Sequence, residues 1–471
     1  MPERIDCDVC VVGAGPAGLA VAAAAATSGL SVVLVDKEAT GEDRLNGGCV
    51  SSKAFLAAAR RVHDVRNAGR FGVEAQGVSV DFARVREHVE GVVRHVGPFG
   101  SLERFAGLGV RIIREDARFK DRKTLLAGET ELRARRFVIA TGSRPAIPEI
   151  DGLGSVPFLT EETIFDFAET PRHLAVLGGG PFGIEMAQAF RRLGSEVTVL
   201  GADRALKDDD PELAAIVLRE LRREGVTVRE QVEVTAICQS DGGLEIALSG
   251  GEPVSCSHLL VAMGRRANIA DLGLDAARIS FGDDGIKVDR RLRTTNGAVY
   301  AVGSAAEGPD FPHWGAYQAE QVVRSILSRA GARVDPSLLV SSLHTDPELA
   351  WVGLGEEQAR QRYGRINILR WPFAENDRAQ AEGTTIGQVK VVTSTKGRIL
   401  GAGIVGRGAG DLIAPWALAV TRRMSVRDMM MPVLPYPTMS EAGKRAATSF
   451  YTPRVQNPAM RVFVRLMAAL G

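Results

Sequence analysis

The chain has 471 residues, with 58 lysines and arginines against 57 acids and a formal net charge of +1. A balance this close to neutral, without a charged tail, leaves no nucleic-acid footprint. The length is enough for two or three domains around a large core.

The 52 glycines cluster at strand–helix junctions rather than in low-complexity runs. The chain enters a strand directly, from Cys7 to Val12, without a basic region or cleavage site, so no signal peptide is expected. The apolar stretch 19–35 is interrupted by Thr27, Ser28, Gly29 and Ser31 and reads as helix, turn and strand, not as a membrane span. The five cysteines (Cys7, Cys10, Cys49, Cys238, Cys256) are odd in number and scattered, which fits a reducing cytoplasm. Cys7 and Cys10 have C-x-x-C spacing. On a strand, residues three apart point to opposite faces, so a structural role is expected rather than a redox or metal site. No metal site is read elsewhere.

The run 8–12 is a buried parallel strand. Gly13-Ala14-Gly15-Pro16-Ala17-Gly18 follows at once, then an alanine-rich helix and a second strand, 31–35, that ends in Asp36 and Lys37. This is the context a dinucleotide fingerprint needs. Gly13 makes the tight turn, Gly15 admits the pyrophosphate to the backbone, and Gly18 packs helix on strand. The helix N-terminus takes the phosphate charge. Asp36, 23 residues after Gly13, is placed to hold a ribose diol.

Cys49 opens a helix running from about Val50 to Arg66. At a helix N-terminus and five residues from Arg44, its thiol is expected to have a depressed pKa. A second amphipathic stretch, 81–108, is followed by a short antiparallel meander over 110–132. A strand then leads into Ala140-Thr141-Gly142-Ser143, and Pro145 and Pro148 mark a linker.

A second fingerprint begins at Gly178 and continues through Gly180, Gly183 and Glu185. Two fingerprints in one chain mean two dinucleotides, one to give hydride and one to accept it. Counting 23 residues from Gly178 reaches Gly201, not an acid. That removes repulsion of a 2′-phosphate, and Arg204 lies close enough in sequence to pair with one, which favours NADPH over NADH.

Several of these segments together resemble the pyridine nucleotide-disulfide oxidoreductases: dihydrolipoamide dehydrogenase, glutathione reductase and mercuric reductase. Their active-site segment reads C-L-N-x-G-C-x-P-S-K. Here Leu45, Asn46, Gly48, Cys49, Ser52 and Lys53 match, while Arg44 replaces the first redox cysteine and Ser51 the proline. The resemblance implies two Rossmann-like α/β domains, for FAD and NAD(P), and a C-terminal α+β dimerisation domain. The boundaries expected are 1–150 and 274–340 for the FAD part, 151–273 for the NAD(P) part and 341–447 for dimerisation.

The resemblance also implies roles. FAD would be held by Gly13, Gly15, Pro16, Ala17, Gly18, Asp36, Lys37, Gly48, Lys53, Ala140, Thr141, Gly142, Gly303 and Ser304. NAD(P) would be held by Gly178, Gly180, Gly183, Glu185, Arg204 and Gly264. Lys53 and Glu185 would pair beside the flavin. Ser304 stands where the family has the aspartate that meets the flavin ribitol, which implies weaker flavin retention. The family's partner-donated H-P-T-x-x-E is here Tyr436-Pro437-Thr438-Met439-Ser440-Glu441, with Tyr436 in place of the acid–base histidine. A tyrosine is a poor thiol base near neutrality but can give a proton to an oxyanion.

Without a cysteine at position 44 no dithiol relay can run at this site. The expectation is a homodimeric FAD enzyme with shared active sites, passing electrons from NAD(P)H to a small acceptor, with Cys49 as a lone thiol, Arg44 recognising an anionic acceptor and Tyr436 and Glu441 from the partner. The alternatives are a transhydrogenase or diaphorase in which Cys49 is idle, and a catalytically retired flavoprotein with a binding role. In the amphipathic tail, 448–471, Pro458 to Leu470 reads as a short helix with Met460, Phe463, Leu466, Met467 and Leu470 on one side and Arg461 and Arg465 as cations. Packing on its own dimer is preferred over a membrane surface.

Overall fold

The computed structural model describes residues 3–37, 48–166, 169–328, 333–452, 465 and 467–469. These pack as two compact units. One comprises 1–178 with 234–335, the other 179–233 with 336–471.

The first unit is built on a seven-stranded sheet. Its order is Arg111–Ile113, Val32–Val35, Arg4–Val12, Thr130–Ile139, Thr124–Ala127 and Ala117–Phe119, with Val299–Ala301 beside the end of Thr130–Ile139. The central strands are parallel: Val12 lies opposite both Val35 and Ile139, and Ile139 lies opposite Ala301. They are apolar on both faces, as strands covered on both sides must be. Cys10, Val33, Phe137, Ile139 and Val299 are all within 2% of full burial in one core. A side chain the size of Phe137 contributes about 1.5–3 kcal/mol when fully buried.

The expected meander over 110–132 is only partly present. Arg111–Ile113 joins the sheet edge in parallel with Val33 to Val35, because its half-apolar triplet extends the Rossmann sheet. The antiparallel run begins at Ala117 and continues through Thr130. The stretch 81–108 is likewise not one helix. Asp81 caps Phe82–Val96 by accepting from the Arg84 amide at 3.2 Å. The Gly97-Pro98 pair then breaks it into a 3₁₀ turn and the short helix Leu102–Gly107. The unit also holds the parallel pair His173–Leu177 and His258–Val261, and a meander over Val234–Ser240, Gly243–Leu248 and Val254–Cys256.

The second unit contains the helix Pro181–Leu193, the parallel pair Glu196–Gly201 and Thr227–Glu230, and the helix Pro211–Arg223. It also contains a five-stranded antiparallel sheet, in the order Val340–Leu343, Glu348–Gly353, Ile399–Gly406, Gln388–Ser394 and Ile366–Pro372. Helices Ala414–Thr421 and Ser440–Ser449 bury Trp416, Ala419, Ala442 and Ala446 against it. Leu418, Met431, Val433 and Tyr436 of this unit are exposed. Among the described residues no helix is long and apolar enough to cross a membrane. Most of the expected tail helix lies outside the described residues. Arg465 and Met467 to Ala469 are helical and exposed.

Candidate functional site

The first glycine loop is tight where it must be and open where a ligand would lie. Gly13 has φ +103°, and a Cβ there would stand 2.4 Å from the Ala140 carbonyl oxygen. A Cβ on Gly18 would stand 1.9 Å from the Gly13 oxygen. At Gly15 the nearest atom is 3.9 Å away. Gly15 caps the helix Pro16–Thr27 with no side-chain bond to its first amides, and proline holds the first turn. Asp36 is 5% exposed, and its Oδ2 accepts from the Ala14 amide at 2.5 Å, tying the acid to the loop. Lys37 is exposed, 4.0 Å from Asp116. In the next loop, Thr141 Oγ1 is buried without a hydrogen-bond partner among the described residues. An open glycine, uncapped amides and an orphaned hydroxyl at one sheet edge are a cradle that fits a dinucleotide.

Cys49 is the first residue of the helix Cys49–Arg66, after Gly48 at φ +101°. Its carbonyl accepts from Ser52 Oγ at 3.2 Å. Lys53, four residues on, is exposed. The expected depression of the thiol pKa is not found. The residue keeps exposed surface, but the protein packed around the thiol withdraws water from it and pushes its pKa up. Lys53 is the chief opposing influence. Glu161 and Asp310 raise it further, and Arg265 lowers it. The sequence reading counted the helix N-terminus and Arg44, and missed the burial and the two carboxylates. Arg44 itself lies outside the described residues. All five cysteines lie within them, and all five are free. Cys10 is a core residue and Cys7, half-buried, packs against the same core, where burial pushes its thiol up to about 11.

Beside Cys49 stands a polar cluster that the sequence did not reveal. The Arg265 guanidinium pairs with Glu161. Its Nε donates to Ser143 Oγ at 2.6 Å and its Nη2 to the Ser143 carbonyl at 2.6 Å. Asp310 Oδ2 lies 3.4 Å from Arg265 Nε and accepts from Ser143 Oγ at 3.1 Å. Asp310 Oδ1 accepts from Ser304 Oγ. Burial raises the Glu161 pKa against the pull of Arg265. Ala140, Thr141 and Gly142 follow the strand Thr130–Ile139, and Gly303 and Ser304 follow Val299–Ala301, so these expected residues do share one edge. The Gly142 carbonyl accepts from the Asn268 amide at 2.9 Å. The Gly264 carbonyl likewise takes Ala146 N–H at 2.9 Å.

The second fingerprint repeats this economy. A Cβ on Gly178 would stand 2.2 Å from the Ala262 oxygen, whereas Gly180 faces open space and caps Pro181–Leu193 without a side-chain bond. Gly183 and Glu185 are buried in that helix. Glu185 Oε1 accepts from the His344 amide at 2.8 Å. Gly201 ends its strand. Arg204 is exposed, with one Nη2 bond of 3.3 Å to the Lys207 carbonyl.

In the C-terminal domain the Tyr436 hydroxyl donates to Asp377 Oδ2 at 2.8 Å. That bond raises its pKa, and the Asp377 and Glu441 charges add to the effect. Glu441 lies in the first turn of Ser440–Ser449. Asp377 was not legible, because it comes from a helix 59 residues upstream of Tyr436.

Two Rossmann-type domains with two phosphate cradles and an antiparallel C-terminal domain define a two-dinucleotide oxidoreductase. A family model for pyridine nucleotide-disulphide oxidoreductases matches residues 7–321, and the corresponding dimerisation-domain model matches 340–447. Mercuric reductase of Streptomyces lividans is 35% identical over 455 residues, covering 94% of this chain and 96% of its own length. Dihydrolipoyl dehydrogenase of Geobacillus stearothermophilus is 33% identical over 456 residues, covering 94% and 96%. LpdA of Mycobacterium tuberculosis shares the fold with a TM-score of 0.86 at 24% identity, covering 95% of this chain and 99% of that one. The HOCl-induced flavoprotein disulfide reductase RclA of Escherichia coli does so at 0.83 and 24%, covering 94% and 99%. The chain belongs to the pyridine nucleotide-disulphide oxidoreductase family. It is a flavin- and NAD(P)-binding oxidoreductase with the family's dimerisation domain and without its cysteine pair.

Proposed function

We propose that the chain takes electrons from NADPH and passes them, without a dithiol relay, to a small acceptor at a site completed across its dimer. The observation that carries this is the isolation of Cys49: the four remaining cysteines are free and position 44 is arginine. The bound flavin and nicotinamide supply the hydride chemistry. The residues of the chain bind, orient and move protons.

Gly13 to Gly18, Asp36 and Thr141 hold one dinucleotide. Gly180, Gly183 and the helix they begin hold the other. The absence of an acid at Gly201, with the exposed cation Arg204 three residues on, supports a 2′-phosphate. Tyr436, kept protonated by Asp377, is the proton donor to the reduced acceptor, and Arg44 its anion contact. In domain terms this reading takes 1–150 and 274–340 for FAD, 151–273 for NADPH and 341–447 for the dimer. Five free thiols support a reducing compartment.

A second reading is favoured by the raised Cys49 pKa. A thiol held neutral near pH 7 is a weak nucleophile, so the chain would be a diaphorase or transhydrogenase in which Cys49 is idle. The activity named for the Streptomyces relative needs soft ligands for a mercuric ion, and Cys49 is the one cysteine in the segment 44–53.

Anaerobic titration with NADPH and with NADH, followed by the flavin spectrum, tests the donor. Bleaching by NADPH at lower concentration is expected; no bleaching by either, with flavin bound, rejects the enzyme reading. Acceptor turnover of Cys49→Ser then separates the two readings, since the idle-thiol reading expects an unchanged rate.

A further inference from the structure

Three neighbouring parallel strands end at one edge of the large sheet, with Val12 opposite Ile139 and Ile139 opposite Ala301. The phosphate-binding loop leaves the first of these strands. The loops leaving the other two carry Ser143 and Ser304. Ligands of such sheets lie outside the carboxyl ends of the strands, so a dinucleotide seated on the first loop runs past these two serines.

Both serine hydroxyls donate to one carboxylate. Ser304 Oγ gives its proton to Asp310 Oδ1, and Ser143 Oγ gives its proton to Oδ2 at 3.1 Å. The Ser304 oxygen is then left with lone pairs and a negative charge behind it, which strengthens it as an acceptor, whereas Ser143 Oγ already accepts from Arg265 Nε at 2.6 Å and serves to anchor the carboxylate. The carboxylate is itself about one-third exposed. Thr141 Oγ1, buried and without a partner among the described residues, lies in the same loop as Ser143. Gly303 closes the arrangement onto the phosphate-binding helix, since a Cβ there would meet the Ala17 Cβ at 3.4 Å.

We propose that Asp310, through Ser304, is the carboxylate that holds the polyol hydroxyls of the flavin. A serine alone at position 304 offers a neutral contact; backed by Asp310 it offers an anionic one. The acid missing at position 304 is thereby supplied from six residues further along the chain. The inference rests on FAD occupying the first fingerprint. The rival role for Asp310 is to neutralise Arg265, 3.4 Å away, with no effect on the ligand.

The test is the FAD affinity of the full-length apoprotein, read by quenching of flavin fluorescence, with circular dichroism as a check on folding. Asp310→Asn keeps the shape and removes the charge. It is expected to weaken FAD binding about ten- to hundredfold, the range for losing a charge-assisted hydrogen bond. Ser304→Ala is expected to weaken it comparably, and Ser304→Ala with Asp310→Asn no more than either alone. Ser304→Asp with Asp310→Ala returns the carboxylate to position 304 and is expected to bind within a few-fold of wild type. Wild-type affinity in Asp310→Asn, or additive losses in the double variant, overturns the inference. A wild-type chain that binds no FAD overturns the flavin assignment along with it, so the two failures are distinct.

Discussion

Tyr436 donates its hydroxyl proton to Asp377 across a 2.8 Å hydrogen bond. The carboxylate makes loss of that proton harder, so the tyrosine pKa rises above its ordinary value. A tyrosine in that state stays protonated at neutral pH, so it is available as an acid and not as a base. Tyr436→Phe is therefore expected to leave flavin reduction by NADPH intact and to slow acceptor turnover about a hundredfold, the lower end of the range for loss of a general acid. Stopped-flow spectra separate the two half-reactions. Asp377→Asn should move the tyrosinate absorbance transition to lower pH. An unmoved transition would show that the pair does not set the tyrosine's acidity.

The Cys49 thiol is expected to react with iodoacetamide at a midpoint above the ordinary thiol value, because burial outweighs the pull of Lys53. The thiolate fraction falls as the pKa rises, so labelling at pH 7 should be slow. Lys53→Met removes the largest opposing charge and should move the midpoint higher still. A midpoint below that of a free thiol in the wild-type chain would restore the reactive-thiolate expectation.

These two sites mark how far sequence reaches. The glycine loops and the helix after Gly48 were legible because their signals are local: a strand, a turn, an apolar period. The cluster of Glu161, Arg265, Ser143 and Asp310 was not. Its members stand 104, 122 and 167 residues apart along the chain, and Glu161 and Asp310 belong to no recognised motif. The Cys49 acidity failed for the same reason, since burial and distant carboxylates decided it. The edge strand Arg111–Ile113 failed because three residues carry no period that tells a parallel partner from an antiparallel one.

Lys390 is buried, 2.8 Å from Asp210, 2.9 Å from Glu212 and 3.3 Å from Glu356. Lys390→Met leaves these carboxylates without their shared cation and is expected to cost about 3–5 kcal/mol in urea unfolding. Arg370, bonded to Glu212 at 2.7 Å, does most to hold the Glu212 carboxyl down at about 2. The sign follows from the depressed pKa. The stability Glu212 contributes is present above its ordinary value of 4.5 and is lost as the pH falls through about 2. Arg370→Met should flatten the stability profile in that window. Its cost at pH 7 is held to about 1 kcal/mol by solvent around the pair. A variant whose acid transition matches wild type would show that Arg370 does not set this carboxyl.

Asp209 carries the opposite shift. Burial, and then the charges of Asp208 and Asp210, push its carboxyl up from 3.8 to about 6. The folded chain therefore favours the protonated acid. That preference helps folding fully below pH 3.8 and is lost as the pH rises through 6, so at neutral pH the ionised Asp209 costs stability. Asp209→Asn keeps the shape and removes the charge. It is expected to gain at most about 3 kcal/mol above pH 6, the worth of roughly two pKa units. The gain should shrink steadily from pH 6 toward pH 4, as both chains approach the same neutral state. Urea unfolding at pH 4.5 and pH 7.5 measures the difference. An equal gain at the two pH values would assign the effect to packing rather than to ionisation of Asp209.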